Sequence, residues 1–117
     1  MAFMLLIAEP VGQRAQRTQE EGRALYERML RFAGELESRG VLRAAESLVS
    51  EDKGTRVQVR NGEARVVDGP FAEAKEMIGG FFLLDVVTEG EAVAIAKTCP
   101  AAEWCTVEVR ELGPCFL

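Results

Sequence analysis

Histidine is absent from this sequence, and that absence shapes every reading of its chemistry. Without imidazole, the usual neutral-pH proton shuttle and the commonest metal ligand are missing, so acid–base work would fall to carboxylates. The densest group of candidates lies in VVDGPFAEAKEMIGGFFLLDV, Val66–Val86. A strand-like stretch there runs into Asp68-Gly69-Pro70-Phe71, passes a charged turn and re-enters a solid apolar run. Pro70 fixes its own φ, biases Gly69 toward extended backbone and removes one donor. It also suits the first position of a short helical turn over FAEAKE, whose unpaired N–H groups would form an anion site for a carboxylate or phosphate. Asp68 would stand at its mouth, with Glu73 and Lys75 nearby. A carboxylate crowded by acids and apolar walls can act as a general acid or base.

Two further carboxylates, Glu9 and Glu46, fall at strand ends where a second acid could complete an acid–base pair. We assign Asp68 and Glu46 as the catalytic candidates. The ligand-contact candidates are Gly69, Pro70, Phe71, Glu73, Lys75, Glu9 and Arg56. Arg56 and Arg110 are each able to clamp a substrate carboxylate through a bidentate guanidinium. Structural roles compete with each of these. Asp68 can cap a turn, Phe71 can plug the core, Glu73 and Lys75 can be a solvated pair, and Arg56 and Arg110 can make cross-strand charge pairs. Trp104 and Tyr26 read as packing or interface residues.

At 117 residues the chain has the length of one domain, residues 1–117. Its net charge of −5 disfavours a nucleic-acid partner. Cys99, Cys105 and Cys115 form no CxxC and leave one unpaired, so neither a metal knuckle nor a disulfide framework is indicated. No cofactor motif is found, and GxxxxGK[ST] is lacking. The apolar start, MAFMLLIAEP, is too short to span a membrane and lacks the leading basic residues of a signal peptide. A cytoplasmic protein with reduced thiols is expected.

The elements that must position these residues follow from periodicity. Phe3–Ala8 is a continuous apolar run that reads as a strand buried on both faces. Thr18 and Glu21 form a capping box, Leu25, Met29, Phe32 and Leu36 follow at helical spacing, and Gly40 supplies the stop. Ala44–Val49 and Thr55–Arg60 read as strands. Asn61-Gly62 is a two-residue hairpin signal that sets Arg60 opposite Glu63, Val59 opposite Ala64, Val57 opposite Val66 and Thr55 near Asp68. Gly80–Val86 is a second strand apolar on both faces. Thr88 and Glu91 repeat the capping signal before a helix carrying Ala92, Ile95, Ala96 and Cys99. Cys105, Val107 and Val109 alternate in a last strand, and the apolar tail LGPCFL is expected to pack.

This order is a ferredoxin-like β-α-β-β-α-β α+β plan with an extra hairpin. Two helices cover only one face of such a sheet, while two strands are apolar on both, so a second copy is expected to cover the other face.

The stretches TRVQVRNGEARVVDGPFAEAKEMIGGFFLLDV, MLLI, RGVLRAAESL, EAVAIAKTCPAA and TVEVREL resemble the YCII-related proteins, in particular their DGPF subgroup. The resemblance runs over nearly the whole chain and implies a dimeric α+β barrel. Relatives have been proposed as enzymes from a His-Asp pair in a cleft, and some are similar to dehydrochlorinases or lactone isomerases. DGPF proteins often accompany extracytoplasmic-function sigma factors, which implies a regulatory partner role, with a transcription factor as partner. Here the His-Asp pattern is broken, and Ala45-Glu46 stands where the subgroup usually has Gly-Glu. The expectation is a homodimer that binds a small carboxylate-bearing ligand, as a carboxylate-driven isomerase or lyase, or alternatively a non-catalytic partner or sensor module.

Overall fold

The computed structural model describes residues 2–117. The apolar run forms β1, Phe3–Pro10, and the capped amphipathic segment forms α1, Gln19–Ser38. The remaining elements are β2 (Leu42–Ser47), β3 (Thr55–Arg60), β4 (Glu63–Asp68), β5 (Glu76–Leu84), α2 (Glu89–Thr98) and β6 (Thr106–Glu111). Short 3-10 turns at Arg14–Gln16, Glu51–Lys53 and Pro100–Glu103 join them. The four-stranded sheet has the order β2-β5-β1-β6 and is antiparallel throughout, the ferredoxin-like arrangement. Strands β3 and β4 stand apart as a two-stranded ribbon.

Local chemistry accounts for the boundaries. At α1, Thr18 Oγ1 accepts from the Glu21 N–H and the Glu21 carboxylate accepts from the Thr18 N–H, so the capping box is complete in both directions. Asn61 and Gly62 take φ of 53° and 79°, the left-handed pair that a tight hairpin turn requires. That turn fixes Arg60↔Glu63, Val59↔Ala64, Val57↔Val66 and Thr55↔Asp68, the register read from the sequence. Strand β5 begins at Glu76 rather than Gly80, because Met77 and Ile78 already pair with Glu9 and Ala8.

Phe3, Leu5 and Ile7 of β1 meet Phe82 and Leu84 of β5, and both helices close over them. Phe32 of α1 stands edge-on to Phe82 with ring centroids 5.1 Å apart. The α1 stripe then divides: Phe32 and Leu36 are buried, whereas Leu25 and Met29 remain half-buried. The opposite face of the sheet carries Met4, Leu6 and Ala8 beside Leu83, Phe81 and Ile78, and among the described residues no helix or ribbon forms a layer over it. The molecule is only 18 Å thick in its shortest dimension.

Two sequence expectations are corrected. The LGPCFL tail does not pack: Phe116 and Leu117 are 83% and 93% exposed, because β6 ends at Glu111 and leaves the tail beyond the sheet. FAEAKE forms no helical segment. A single turn closes from the Ala74 N–H to the Phe71 carbonyl at 3.0 Å, and the chain then enters β5.

Candidate functional site

The half-buried part of α1 forms one wall of a cleft of about 870 Å³. Leu25, Tyr26, Met29 and Ala33 line it from the helix, and Ile7, Ala45 and Phe82 line it from the sheet. Gly79 and Gly80 contribute no side chain to the floor beside them. They occupy a register shift where Ile7 pairs with Gly80 and Ala8 with Ile78, so a bulge strips the floor bare where the cleft needs depth.

At this end lies Glu9, the one buried charged residue among those described, 6% exposed. Arg14 reaches it from the turn after β1, donating from Nε to Glu9 Oε1 at 2.7 Å. The same guanidinium donates to the Leu48 carbonyl at 2.8 Å and lies 3.4 Å from the Gly79 carbonyl, so it ties the ends of β1, β2 and β5 together. Both Arg14 contacts to Glu9 use Oε1. Oε2 has no protein donor among the described residues and is not among the fully buried unpaired atoms, so it keeps some exposure on a residue that lines the cleft. An ion-paired carboxylate with one free oxygen in an apolar-walled cleft has the arrangement of a proton acceptor. Arg17 and Trp104 complete this end, with the Arg17 guanidinium 6.0 Å from the indole centroid.

The residues singled out in the sequence divide between two places. Glu9 and Glu46 border the cleft. Glu46 is exposed and pairs with Phe81, a register that turns its side chain toward the uncovered face and leaves its backbone at the cleft rim. Asp68, Gly69, Pro70, Phe71, Glu73, Lys75 and Arg56 do not line the cleft. They form the joint at the base of the ribbon. Asp68 is exposed and accepts from Thr55 Oγ1 at 3.0 Å. The Gly69–Pro70 peptide is cis, and a Cβ on Gly69 would overlap the Glu51 carbonyl. The Phe71 N–H donates to Glu51 Oε2 at 2.9 Å, so the expected anion-binding donor already holds a carboxylate of this chain. Glu73 and Lys75 are exposed, and the Lys75 carbonyl accepts from the Val11 N–H. Arg110 pairs with Glu108 on its own strand.

Sequence reasoning does not single out Arg14 and Arg17, and reads Tyr26 and Trp104 as packing or interface residues. Their signal was a pair of arginines three residues apart in the turn between a strand and a capped helix. The two thiols nearest the cleft offer no nucleophile. Burial pushes the Cys99 thiol up, and burial first, then the Glu9 charge, pushes Cys105 up to about 11. Among the described residues no group of three potential metal ligands forms, and no helix is long and apolar enough to cross a membrane.

Fold and cleft together define a ferredoxin-like α+β protein with a candidate ligand site between its first helix and its sheet. The model of the YCII-related domain matches residues 1–115, and the chain belongs to that family. It is also 44% identical over 54 residues to an uncharacterised protein of Rhizobium meliloti (strain 1021), a match covering 44% of each chain. The chain thus spans less than half the length of that curated relative.

Proposed function

We propose that the protein is a homodimeric small-molecule-binding protein whose cleft between α1 and the sheet performs acid–base chemistry of the isomerase or lyase kind. The observation that carries this reading is Glu9, buried on the cleft lining and ion-paired through Oε1, with no donor on Oε2 among the described residues. Glu9 thereby replaces Asp68 and Glu46 as the preferred proton-transfer group, since those two are exposed and Glu9 is buried on the cleft lining. Cys99, Cys105 and Cys115 are all free thiols, which suits a reducing cytoplasmic setting.

Three features support the dimer. One sheet face is apolar along both central strands and uncovered. The ribbon is exposed at every residue of β3 and β4, and a lone two-stranded ribbon is marginal in water. The radius of gyration, 16.0 Å, exceeds the value of about 13 Å for a compact domain of this size. The exposed ribbon also favours a second reading, a non-catalytic sensor module that docks on a transcription factor.

The test is solvent exchange. Small keto acids and lactones are incubated with the protein in D2O, and deuterium entry next to the carbonyl is followed by NMR. The wild type should exchange at least one of them and Glu9→Gln should not, while binding is retained. Binding without exchange in the wild type defeats the acid–base reading and leaves the sensor; absence of binding defeats the cleft itself.

A further inference from the structure

Five of the eleven arginines of the chain are committed to a side-chain partner. Arg14 holds Glu9, Arg28 holds Glu103, Arg43 holds Asp85 and Arg110 holds Glu108. Arg56 covers the Phe71 ring. Arg17 differs. It is half-buried on the cleft wall, and among the described residues it makes neither an ion pair nor a side-chain hydrogen bond. Its guanidinium is held instead near the Trp104 ring, at 6.0 Å. None of the 19 acidic residues makes a direct ion pair with Arg17 among the described residues. Glu21 is held in the capping box, whose bonds to Thr18 chiefly lower its pKa, and it lies near enough for the Arg17 charge to add to that lowering. The acid that shares its cleft, Glu9, is already taken by Arg14. A half-buried guanidinium with no direct ion-pair partner is free to take an anion in charge-assisted contact.

We propose that Arg17 is the anion-binding residue of the cleft, and that the ligand is an amphipathic monocarboxylate whose carboxylate sits on Arg17 while its hydrocarbon body lies along the trough. This inference rests on the cleft being the ligand site. The trough has Leu25, Met29 and Ala33 on one wall and Ile7, Ala45 and Phe82 on the other, with no charged side chain among them. Its volume of about 870 Å³ is far more than an inorganic ion fills and lies in the range of organic ligands. One half-buried guanidinium matches one negative charge. Arg23 at the rim is exposed and adds only attraction that salt screens. The geometry also gives the two residues of the lining separate tasks: Arg17 fixes the anion, and Glu9 serves whatever carbon the fixed anion presents to it.

The chain has a single tryptophan, and it borders this site, so its emission reports occupancy. The probes are octanoate and 1-octanol, which share a hydrocarbon body and differ in charge. Octanoate should bind about tenfold more tightly than octanol, a difference in the range of a charge-assisted contact. Arg17→Gln should bring octanoate down to the octanol level and leave octanol unchanged, and Arg17→Lys should retain part of the preference. Ala33→Leu, which fills the trough, should weaken both, with circular dichroism confirming that each variant folds. Equal binding of the two probes to the wild type, or an octanoate preference that survives Arg17→Gln, overturns the role of Arg17 while leaving the cleft as the site. Binding of neither probe, or binding that Ala33→Leu does not weaken, overturns the cleft reading and this inference with it.

Discussion

The guanidinium of Arg56 lies 3.8 Å above the centroid of the Phe71 ring. This stack, with the Glu51 carboxylate on the Phe71 N–H, closes the base of the β3–β4 ribbon. The Gly69 N–H adds a bond to the Gly54 carbonyl at 2.8 Å. The Asp-Gly-Pro-Phe punctuation therefore has a structural explanation as a joint: glycine where backbone passes closest to Glu51, and an aromatic ring where a cation can cover it. Removing the ring in Phe71→Ala should cost about 1–2 kcal/mol locally, the sum of a cation–π contact and a half-buried aromatic. Limited proteolysis between residues 50 and 75 should then accelerate about tenfold, with the sheet still protected. Unchanged cleavage would mean that the ribbon is held by something else.

Arg14 and Arg28 each pair with a glutamate, but in different surroundings. The Arg28–Glu103 pair is exposed on both sides, 37% and 63%, whereas Glu9 in the Arg14 pair is 7% exposed at its side chain. Breaking a surface pair changes stability by about 0–1 kcal/mol. Leaving a buried carboxylate without its partner, and the Leu48 carbonyl without its Arg14 donor, costs more, roughly 2–3 kcal/mol here because Arg14 itself is partly solvated. Urea titrations should therefore show a clear fall in midpoint for Arg14→Ala and almost none for Arg28→Ala.

Much of this architecture is legible in the sequence, and what is legible is local. The capping box at Thr18, the Asn61-Gly62 turn with its full register, and the apolar runs of β1 and β5 each rest on residues close in the chain. The cleft is not local. It arises because Gly79 and Gly80 of β5 pass under Leu25 and Met29 of α1, and because Arg14 folds back onto Glu9 across a turn. In the sequence, the α1 stripe looks uniform from Leu25 to Leu36, and nothing in its spacing shows that the first half walls a cleft while the second enters the core. Asp68 drew attention through motif punctuation, yet it is exposed and lies at the ribbon base.

A side chain at Gly79 would collide with the Glu9 carboxylate and would come 2.9 Å from Arg14 Nη2. Gly79→Ala must push that ion pair aside, at a cost of about 1–3 kcal/mol. Gly34 lies in α1 with nothing within 4 Å of a Cβ and no positive φ, so Gly34→Ala should stabilise by about 0.5–1 kcal/mol through helix propensity alone. Thermal melts of the two variants should move in opposite directions. A stabilised Gly79→Ala would show that the bulge has room to spare.

Thiol chemistry should separate the cysteines. Cys115 is exposed, whereas Cys99 and Cys105 have their thiols pushed up chiefly by burial, Cys105 from 9.0 to about 11. At pH 8 a disulfide reagent should titrate one thiol per folded chain rapidly and the other two only on unfolding. The sign of the pH effect follows. Folding favours the neutral Cys105 thiol, so its contribution is complete below about pH 9 and is lost as pH rises toward about 11. Urea midpoints should fall across that window, and the fall should be smaller in Cys105→Ala. Equal slopes in both proteins would place the alkaline loss elsewhere.

Assembly can be tested at the centre of the uncovered face. Phe81 pairs with Leu6 on β1 and with Glu46 on β2, so it stands in the middle of an apolar strip. Edge strands flank the strip with Glu46 on one side and with Thr106, Glu108 and Arg110 on the other, an apolar centre inside a polar rim of the kind interfaces show. Light scattering should give the wild type twice the 12.8 kDa chain mass at micromolar concentration. Phe81→Glu places a charge at the centre of the strip and should yield the single-chain mass, with α1 and the cleft intact on the opposite face. Val57→Glu sits on the ribbon's apolar side with Val59 and Val66, so it separates two modes of assembly. If the partner also covers the ribbon, this variant too should weaken the dimer; if sheet faces alone meet, it should leave the mass unchanged. A wild type that scatters as one chain would defeat the dimer outright.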